Sequence, residues 1–380
     1  MLQDQFDVAI VGAGIIGLAH AYLAARSGLK VLVLERDPIA TGASIRNFGM
    51  IWPIGQPAGH LHKTALRSRE LWLQVLREAG LPHQPTGSLH AAYRVDEAMV
   101  GREFAVKATH LGYDCTWLNA KEAAGRSAAL NPEGLLGALW SPVEFTVDPR
   151  LVIGRLPAFL TERLGVEFCF NTAVQEVGVS VLRAGRKIWK ANVVVLATGD
   201  DFQTLFPETL DGLGLRRCKL QMLRTVVQPA GWQLGPSLAF GLTFRHYPAF
   251  EICEGLPALA ARIAKETPEF DRWGIHVMVS ATADGALTLG DSHQYGLSVD
   301  IFDRPEINRL ILSFARQYVR VPLLEIAQYW HGVYASHPKA PYFRYSPAPG
   351  VHGIIVTSGI GMTLSFGLAE QTLTQAGLIT

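Results

Sequence analysis

The sequence is poor in charged residues and carries almost no net charge. Only 18% of its 380 residues are charged, and 34 Lys and Arg against 33 Asp and Glu leave a formal net charge of +1. It contains no basic run and no apolar heptad repeat. Because nucleic-acid-binding surfaces need clustered positive charge, these absences predict no nucleic-acid partner. We expect the partner to be a small molecule.

Cysteine is also scarce. The four cysteines lie far apart, with no Cys-x-x-Cys pair and no zinc-ligand spacing. We therefore predict buried free thiols, no metal site and a reducing compartment. No positively charged leader with an apolar segment precedes the first predicted strand, so we expect a cytoplasmic protein without a membrane span. With 49% hydrophobic residues, the chain can bury a large core in one large or two closely packed domains.

The stretch from Asp7 to Asp37 has the pattern of a nucleotide-binding unit. An apolar run at residues 8–11 predicts a strand, which Gly12, Gly14 and Gly17 follow. These glycines supply a tight turn, a bare backbone against a pyrophosphate, and close contact between helix and strand. A second predicted strand, at residues 31–34, then ends at an acid.

Two alternatives compete with this interpretation, a chance glycine turn and a membrane helix at residues 8–25. A spanning helix needs about twenty apolar residues and would seldom hold three glycines at these intervals. A chance triplet would lack Ala21 and Ala25, which continue the small residues at four-residue steps. It would also lack Glu35, placed where a carboxylate accepts hydrogen bonds from an adenosine ribose. The pattern predicts dinucleotide binding without specifying which dinucleotide.

Local sequence patterns predict the secondary structure of the middle of the chain. After Glu35 comes a Gly-, Pro- and Ser-rich loop that is too long for a simple connector, which indicates a functional role. Asp148 as N-cap and Pro149 at the first position predict a helix that ends at residue 164. The other predicted elements are a surface helix at 63–79, a strand at 88–95, helices at 97–111 and 120–125, and two short strands within 166–177.

The β-branched run at residues 193–197 predicts a strand buried in a parallel sheet, and Thr198-Gly199 ends it. Between residues 218 and 289 the pattern changes to antiparallel strands, one of them spanning 237–253, with Asp284-Gly285 as a hairpin turn. An amphipathic helix is predicted at 303–320. The tail repeats the opening pattern, with a strand, a glycine-rich turn at 358–361 and a helix from Met362.

Together these parts resemble the D-amino acid oxidase superfamily of FAD proteins, in the branch that contains glycine oxidase and monomeric sarcosine oxidase. The resemblance covers nearly the whole chain. It depends on the first unit with Glu35-Arg36, the loop TGASIRNFGM, the strand end ATG, the segment WHGVYASHPKAP and the final SGIGMT. It implies that the cofactor is FAD. A helix N-terminus near Met362 would then stabilise negative charge on the flavin pyrimidine ring.

The patterns and the resemblance predict an α/β fold with an FAD-binding, Rossmann-like domain of the glutathione-reductase type. A second α+β domain, built on an antiparallel sheet, would bind the substrate. We expect the FAD domain at residues 1–86, 143–212 and 326–380, and the substrate domain at residues 87–142 and 213–325. The active site is expected between the second sheet and the flavin, because ligand sites favour domain junctions.

The FAD is expected to be non-covalent, since no cysteine lies in residues 330–341 or near the final loop. The resemblance and the glycine-rich motifs together predict a set of cofactor-binding residues. They are Gly12, Gly14, Ile15, Ile16, Gly17, Glu35, Arg36, Ser44, Arg46, Asn47, Gly49, Val174, Thr198, Gly199, Gly359, Gly361, Met362 and Thr363.

Two further stretches, RNFGMIWPIGQPAG and FRHYPAFE, resemble the glycine-oxidase-like flavoenzymes associated with aminophosphonate breakdown. This resemblance implies oxidation of 2-aminoethylphosphonate, or an N-alkyl relative, to an imine that hydrolyses to phosphonoacetaldehyde. The expected partners are then a small anionic amine and an electron acceptor, either O2, giving H2O2, or another molecule.

One segment departs from the wider family. Where relatives show Trp-x-Gly-x-Arg-Pro-x-Thr-Pro-Asp, this chain has Tyr334 in place of the arginine and Lys339 in place of the aspartate. Some relatives hold a substrate carboxylate with that arginine, so a standard α-amino acid is a doubtful substrate. Flavin amine oxidation needs a neutral amine with a C–H bond aimed at the flavin, so a side-chain base is not obligatory.

The residue types in these segments suggest candidates for the substrate pocket. Tyr334, His337 and Tyr247 are candidate catalytic residues. The candidate substrate-binding residues are Arg245, His246, Lys339, Arg46 and Met50. Structural roles compete with each assignment, since Arg245 could pair with an acid such as Glu251 and Arg46 could brace the flavin loop.

Three other functions are compatible with the same sequence features. An oxidase or dehydrogenase of glycine, sarcosine or D-amino acids would use the same fold and cofactor. An aromatic hydroxylase would consume NAD(P)H and carry a different FAD-side motif. A non-catalytic or electron-transferring flavoprotein subunit would show no activity as a purified chain.

Overall fold

The computed structural model describes residues 5–380 of the chain. Its strands are β1 (Gln5–Val11), β2 (Val31–Leu34), β3 (Met50–Ile51), β4 (Ser88–Ala92), β5 (Thr116–Asn119), β6 (Gly137–Ser141), β7 (Phe145–Thr146), β8 (Glu167–Cys169), β9 (Glu176–Gly178), β10 (Val181–Ala184), β11 (Lys187–Leu196), β12 (Arg216–Thr225), β13 (Ser237–Phe240), β14 (Met278–Ala281), β15 (Leu287–Gly290), β16 (Gln294–Gly296), β17 (Ile326–Ser336), β18 (Tyr342–Ala348) and β19 (Val351–Val356).

The helices connect these strands or pack on their faces. They are α1 (Ile15–Arg26), α2 (His60–Glu78), α3 (Val95–Thr109), α4 (Ala120–Arg126), α5 (Pro149–Leu164), α6 (Pro207–Leu210), α7 (Gly241–Phe244), α8 (Leu256–Glu266), α9 (Pro268–Arg272), α10 (Pro305–Tyr318) and α11 (Gly361–Gln375). Within residues 5–380, no helix is both long enough and apolar enough to cross a bilayer.

The first sheet has the strand order β18-β19-β11-β1-β2-β8, and β9 and β10 extend from β11. Its centre is parallel, because β1 pairs in parallel with β11 on one side and β2 on the other. Val8, Ala9 and Ile10 are fully buried there, as expected for a strand covered on both faces. The predicted α/β fold with a Rossmann-like FAD-binding part is confirmed, and the carboxyl ends of β1 and β11 lie side by side.

Helices α1, α2 and α11 cover one face of this sheet. Phe366 of α11 packs its ring against Tyr22 of α1 and Trp72 of α2, with ring centroids 5.8 and 4.8 Å apart. The Trp72 indole also donates a 2.7 Å hydrogen bond to the carbonyl of Met362. The surface helix predicted at residues 63–79 is therefore confirmed as part of α2, which buries one face against α11 and exposes charged residues such as Lys63 and Arg67 on the other.

Two local predictions are confirmed. The Asp148 carboxylate accepts hydrogen bonds from the backbone N–H groups of Arg150 and Leu151, and Pro149 opens α5. Gly285, with a φ of +86°, lies in the turn that joins the antiparallel strands β14 and β15. Both features depend on neighbouring residues only, which is why the sequence pattern predicts them.

The second sheet has the order β16-β12-β15-β14-β13-β4-β6-β5, and β17 pairs with β12. It is antiparallel except for β13 and β4, which run parallel. The strand predicted at residues 237–253 was wrong beyond Phe240, because the chain continues as α7 and then as a 3-10 turn at Pro248–Ile252. The predicted strand at 88–95 likewise ends at Ala92, and α3 begins at Val95.

The two sheets meet at β17. The predicted domain division would place residues 326–336 in the FAD domain, whereas β17 pairs with β12 from Arg216 to Thr225. The strands β18 and β19, which follow directly, belong to the first sheet. The division into domains stays a prediction. Its boundary at residue 326 would assign β17 and β12, which pair with each other, to different domains. This junction positions Leu220 and Met222 of β12 beside the glycine-rich turns, where they line one cavity.

Candidate active site

The first glycine turn is closed by contacts that leave no room for side chains. Gly12 has a φ of +105°, and a Cβ there would lie 2.4 Å from the carbonyl oxygen of Ala197. A Cβ on Gly17 would lie 1.9 Å from the carbonyl oxygen of Gly12, so α1 rests directly on β1. A Cβ on Gly14 would meet no backbone atom at such a distance, since the nearest atom would be the Ser44 hydroxyl oxygen at 3.1 Å. The turn therefore opens a bare backbone toward the cavity at the start of α1.

Glu35 stands at the end of β2 beside this turn. One carboxylate oxygen accepts a 2.8 Å hydrogen bond from the Ala13 backbone N–H, and the other accepts one of 3.1 Å from the Asp37 N–H. The next residue, Arg36, forms an ion pair with Asp201. The buried carboxylate thus lines the cavity and braces the turn, and its unused lone pairs suit ribose hydroxyls.

A single cavity of about 560 Å³ runs from Glu35 to the second sheet. Most of the predicted cofactor residues lie on its wall. They are Gly12, Gly14, Ile15, Ile16, Glu35, Arg36, Ser44, Arg46, Asn47, Val174, Thr198, Gly199, Gly359, Gly361 and Met362. Other wall residues lie outside the predicted set, among them Phe48, Thr172, Gln175, Asp200, Ser358 and Ile360.

Three predicted cofactor residues lie behind the cavity wall. Gly17 holds α1 against β1. Gly49 has a φ of +72°, and a Cβ there would lie 1.9 Å from the Val147 carbonyl oxygen. The Thr363 hydroxyl accepts a 2.9 Å hydrogen bond from the Trp52 backbone N–H. These residues shape the wall rather than face the space inside it.

The residues on the wall suit FAD. By the prediction, Glu35 would bind the ribose, the bare turn at Gly12 and Gly14 the pyrophosphate, and the start of α11 at Gly361 would face the flavin pyrimidine ring. When bound, FAD supplies the acceptor for a hydride from a substrate carbon. Among residues 5–380, no cysteine lines the cavity.

At the second sheet, three imidazoles and a carboxylate form what we call the histidine cluster: His246, His276, His293 and Asp291. The ring centroid of His246 lies 3.9 Å from that of His276 and 4.5 Å from that of His293. The His276 Nε2 is 3.1 Å from the Asp291 Oδ1. All four residues line the cavity, together with Tyr247.

Burial governs the charges of this cluster. It lowers the pKa of His246 and of His276 well below the usual value, and the neighbouring imidazoles and Arg245 lower them further. Burial also raises the pKa of the Asp291 carboxyl to about 6. At neutral pH these two imidazoles are therefore uncharged, while the carboxylate is largely ionised.

Tyr334 lies where β17 meets the last glycine turn. It pairs with Cys218 of β12, and a Cβ on Gly359 would lie 3.3 Å from its hydroxyl. Burial raises the pKa of this hydroxyl well above the usual value, so it is a neutral donor. Tyr334 and Tyr247 both line the cavity.

Four other candidates lie off the cavity wall. Arg245 forms an ion pair with Asp271, rather than with Glu251, and also donates a hydrogen bond to the Ile275 carbonyl. The His337 ring accepts hydrogen bonds from the backbone N–H groups of Lys339 and Ala340, and the Lys339 side chain is exposed.

Met50, the last of these four, is buried in β3 opposite Thr146. The structure thus brings His246, Tyr247, Tyr334 and Arg46 to the cavity and keeps Arg245, His337, Lys339 and Met50 away from it. The sequence did not predict a role for His276, Asp291 or His293, because 30 to 47 residues separate them from His246 and they follow no motif.

Residues 7–374 match the sequence model of the family described as "DAO: FAD dependent oxidoreductase". The chain belongs to this DAO family. Its cofactor is accordingly FAD, and it is an FAD-dependent oxidoreductase by family. The predicted D-amino acid oxidase resemblance is confirmed at this level.

Individual relatives match parts of this DAO-family chain. It is 25% identical over 237 residues to an opine oxidase subunit of Agrobacterium tumefaciens, across 58% of this chain and 63% of that protein. It is 27% identical over 186 residues to glycerol 3-phosphate oxidase of Mycoplasma pneumoniae, across 47% of this chain and 48% of that protein. The chain thus matches less than two thirds of the length of either relative.

The fold also has solved counterparts. The crystal structure of glycine oxidase from Geobacillus kaustophilus superposes with a TM-score of 0.77 at 20% sequence identity. The superposition covers 98% of this chain and 95% of that one. At this identity the likeness shows a shared DAO-type fold.

Proposed function

We propose that this protein uses FAD to oxidise a small primary or secondary amine that carries an anionic head group, with 2-aminoethylphosphonate or its N-methyl form as the substrate. The product is an imine that hydrolyses to phosphonoacetaldehyde, and O2 reoxidises the flavin to give H2O2. The observation that carries the proposal is the histidine cluster, which lines the FAD cavity at the second sheet.

The histidine cluster and its neighbours suit an anion with several oxygens. His246, His276 and His293 lie side by side, so their ring nitrogens can reach different oxygens of one head group. Tyr247 adds a hydroxyl donor on the same wall. A phosphonate offers three acceptor oxygens, and each charge-assisted hydrogen bond to it contributes roughly 1.5–3 kcal/mol.

Tyr334 favours an amine without an α-carboxylate over a standard α-amino acid. Tyr334 occupies the position where relatives of the resembled family carry a carboxylate-binding arginine, and the raised pKa of its hydroxyl keeps it neutral. With the head group at the histidine cluster, the amine-bearing carbon faces the flavin between the cluster and Tyr334. A neutral tyrosine can orient the amine without holding it in the protonated form, which could not be oxidised.

The names of two relatives are consistent with this substrate class. Glycerol 3-phosphate oxidase is named for a small substrate with a phosphorus oxyanion, and the opine oxidase subunit for an opine. A phosphorus oxyanion and an amino compound thus both occur among the substrates for which relatives are named. The name glycerol 3-phosphate oxidase also suggests a second candidate substrate, an alcohol that carries a phosphate. An assay must distinguish this alcohol from an amine.

A substrate panel tests the proposal directly. Holoenzyme is mixed anaerobically with 2-aminoethylphosphonate, its N-methyl form, glycine, sarcosine, D-alanine or glycerol 3-phosphate, and flavin bleaching is followed. We expect the two aminophosphonates to reduce the flavin fastest, and peroxide to appear once O2 is admitted. Faster reduction by glycine or D-alanine would refute the head-group assignment, and faster reduction by glycerol 3-phosphate would refute the amine.

Two variants test whether the histidine cluster binds the head group. His246→Ala removes a ring from the cavity wall, and we expect it to lower kcat/KM for 2-aminoethylphosphonate roughly tenfold to a hundredfold, the equivalent of one lost charge-assisted bond. Lys339→Ala is the matched control, because its side chain is exposed and lies off the wall. Equal losses in both variants would place the head group elsewhere.

A further inference from the structure

The head-group end of the cavity offers hydrogen-bond donors to an anion but carries little positive charge. Over residues 5–380, the arginines and lysines on the cavity wall are Arg36, paired with Asp201, and Arg46, which donates to the His331 carbonyl at 3.4 Å. The histidine cluster also includes a carboxylate, Asp291, which would repel an anionic head group. A further positive charge at this end would strengthen the binding of an anion.

The geometry of the cluster is that of a metal site. His246, His276 and His293 each offer one ring nitrogen, and these nitrogens all lie within 4.8 Å of one another. The Asp291 Oδ1 lies beside this group, 3.1 Å from His276 Nε2. The His246 and His276 rings are stacked with centroids 3.9 Å apart, so binding one ion requires side-chain rotation that turns their lone pairs toward it.

One oxygen of the Asp291 carboxylate lacks a hydrogen-bond donor. This Oδ1 is fully enclosed and makes no hydrogen bond, although His276 Nε2 lies 3.1 Å away. A buried acceptor without a donor costs about 1–3 kcal/mol or more, so the site is incomplete as it stands. A cation between the carboxylate and the imidazole would satisfy the lone pairs of both groups.

The backbone orients one ring as a ligand. His293 Nδ1 lies 2.9 Å from the carbonyl oxygen of Gly274, which can only accept, so this nitrogen carries the proton. The lone pair of His293 is therefore on Nε2. Metal-binding histidines are commonly oriented by such a carbonyl on the other ring nitrogen.

We propose that His246, His276 and His293 bind one divalent transition-metal ion of the zinc type, with the Asp291 carboxylate beside it. Resting on the proposed function, we further propose that this ion takes an oxygen of the anionic head group at an open coordination position facing the cavity. Three neutral imidazoles, one carboxylate and a divalent ion carry a net charge of +1, which attracts the head group that the carboxylate alone would repel. Imidazole and carboxylate ligands suit Zn²⁺, Co²⁺ and related ions.

The first experiment measures metal binding without using activity. Holoenzyme is stripped with a chelator, and Zn²⁺ is titrated calorimetrically, with Co²⁺ as a spectroscopic probe of coordination. We expect one ion per chain and visible Co²⁺ bands. His276→Gln should weaken binding at least about a hundredfold, while His337→Gln, outside the cavity, should not change it.

Absence of Zn²⁺ or Co²⁺ binding by the wild-type holoenzyme would overturn the metal site without any variant. Unchanged affinity in His276→Gln, with the flavin spectrum and circular dichroism intact, would overturn it as well. If that variant fails to fold, His293→Gln provides the same comparison at another of the three ligands.

The second experiment tests what the ion does. Methylphosphonate, which has no amine to oxidise, is titrated into stripped and metal-loaded holoenzyme, and its binding is read from the flavin spectrum. We expect loading with Zn²⁺ to tighten binding at least about tenfold. Equal binding with and without the ion would refute its role in holding the head group.

The two proposals fail in different ways. If the stripped enzyme oxidises 2-aminoethylphosphonate with an unchanged KM, the imidazoles bind the head group themselves, and the metal proposal falls while the proposed function stands. If Zn²⁺ binds at the cluster but no amine of the panel reduces the flavin, the proposed function falls and the metal site stands.

Discussion

Replacing Glu35 is the sharpest test of the cofactor site, because this side chain makes bonds both within the protein and, by its position, to FAD. Its carboxylate accepts hydrogen bonds from the backbone N–H groups of Ala13 and Asp37 at 2.8 and 3.1 Å. Glu35→Ala leaves the buried Ala13 N–H without a partner, at a cost of about 1–3 kcal/mol to the folded state.

The same change removes an acceptor for the FAD ribose. A hydrogen bond to a charged group contributes about 1.5–3 kcal/mol, so the Kd for FAD should rise roughly tenfold to a hundredfold. Glu35→Gln should fall between wild type and Glu35→Ala, because its amide oxygen can still accept from Ala13 but carries no charge. Glu162→Ala, an exposed change on α5, is the control.

The assay separates these two effects. Apoprotein of each variant is titrated with FAD, with flavin fluorescence as the readout, and unfolding of the apoprotein is measured in urea. A loss of apoprotein stability with an FAD Kd within about twofold of wild type would show that Glu35 braces the glycine turn only. That outcome would refute its placement at the ribose.

Two more predictions concern the bound cofactor and the core. Acid precipitation should release the flavin into the supernatant, since no cysteine lines the described cavity, and flavin retained in the pellet would contradict non-covalent binding. Burial lowers the pKa of His90 from 6.5 to about 3, so the unfolded chain takes up a proton first as the pH falls. The free energy of unfolding should therefore decrease by about 2 kcal/mol at this residue between pH 7 and pH 5. In urea unfolding at both pH values, the free energy of unfolding of His90→Leu should decrease by about 2 kcal/mol less than that of the wild type. An equal decrease in both proteins would contradict the lowered pKa of His90.

The sequence alone predicts those features that short-range geometry decides. The glycines at 12, 14 and 17 are predictable because a turn, a helix start and a close strand contact lie within a few residues of each other. The Asp148 cap is predictable for the same reason, since its hydrogen bonds reach only two or three residues along the chain. The cofactor class follows from these local units and their order.

Local patterns fail where distant contacts override them. The apolar alternation after Phe240 is compatible with a strand. Instead, Arg245 pairs with Asp271, and His246 contacts the imidazoles of His276 and His293, which lie just before β14 and β16. Lys339 is a reasonable anion-binding residue from its position in the segment. In the fold it stands outside the cavity, because the backbone turns around His337.

The chemistry of the substrate end was decided by tertiary structure. His276 and His293 are brought beside His246 by the pairing of β14 and β15 with their neighbours in the second sheet, and Asp291 follows directly on β15. No spacing along the chain marks these four residues as a group, since a sheet brings together residues whose separation depends on loop lengths. The sequence by itself determined the glycine turn and the helix cap, because their geometry is decided within a few residues, whereas the pairing of distant strands decided which side chains line the substrate end of the cavity.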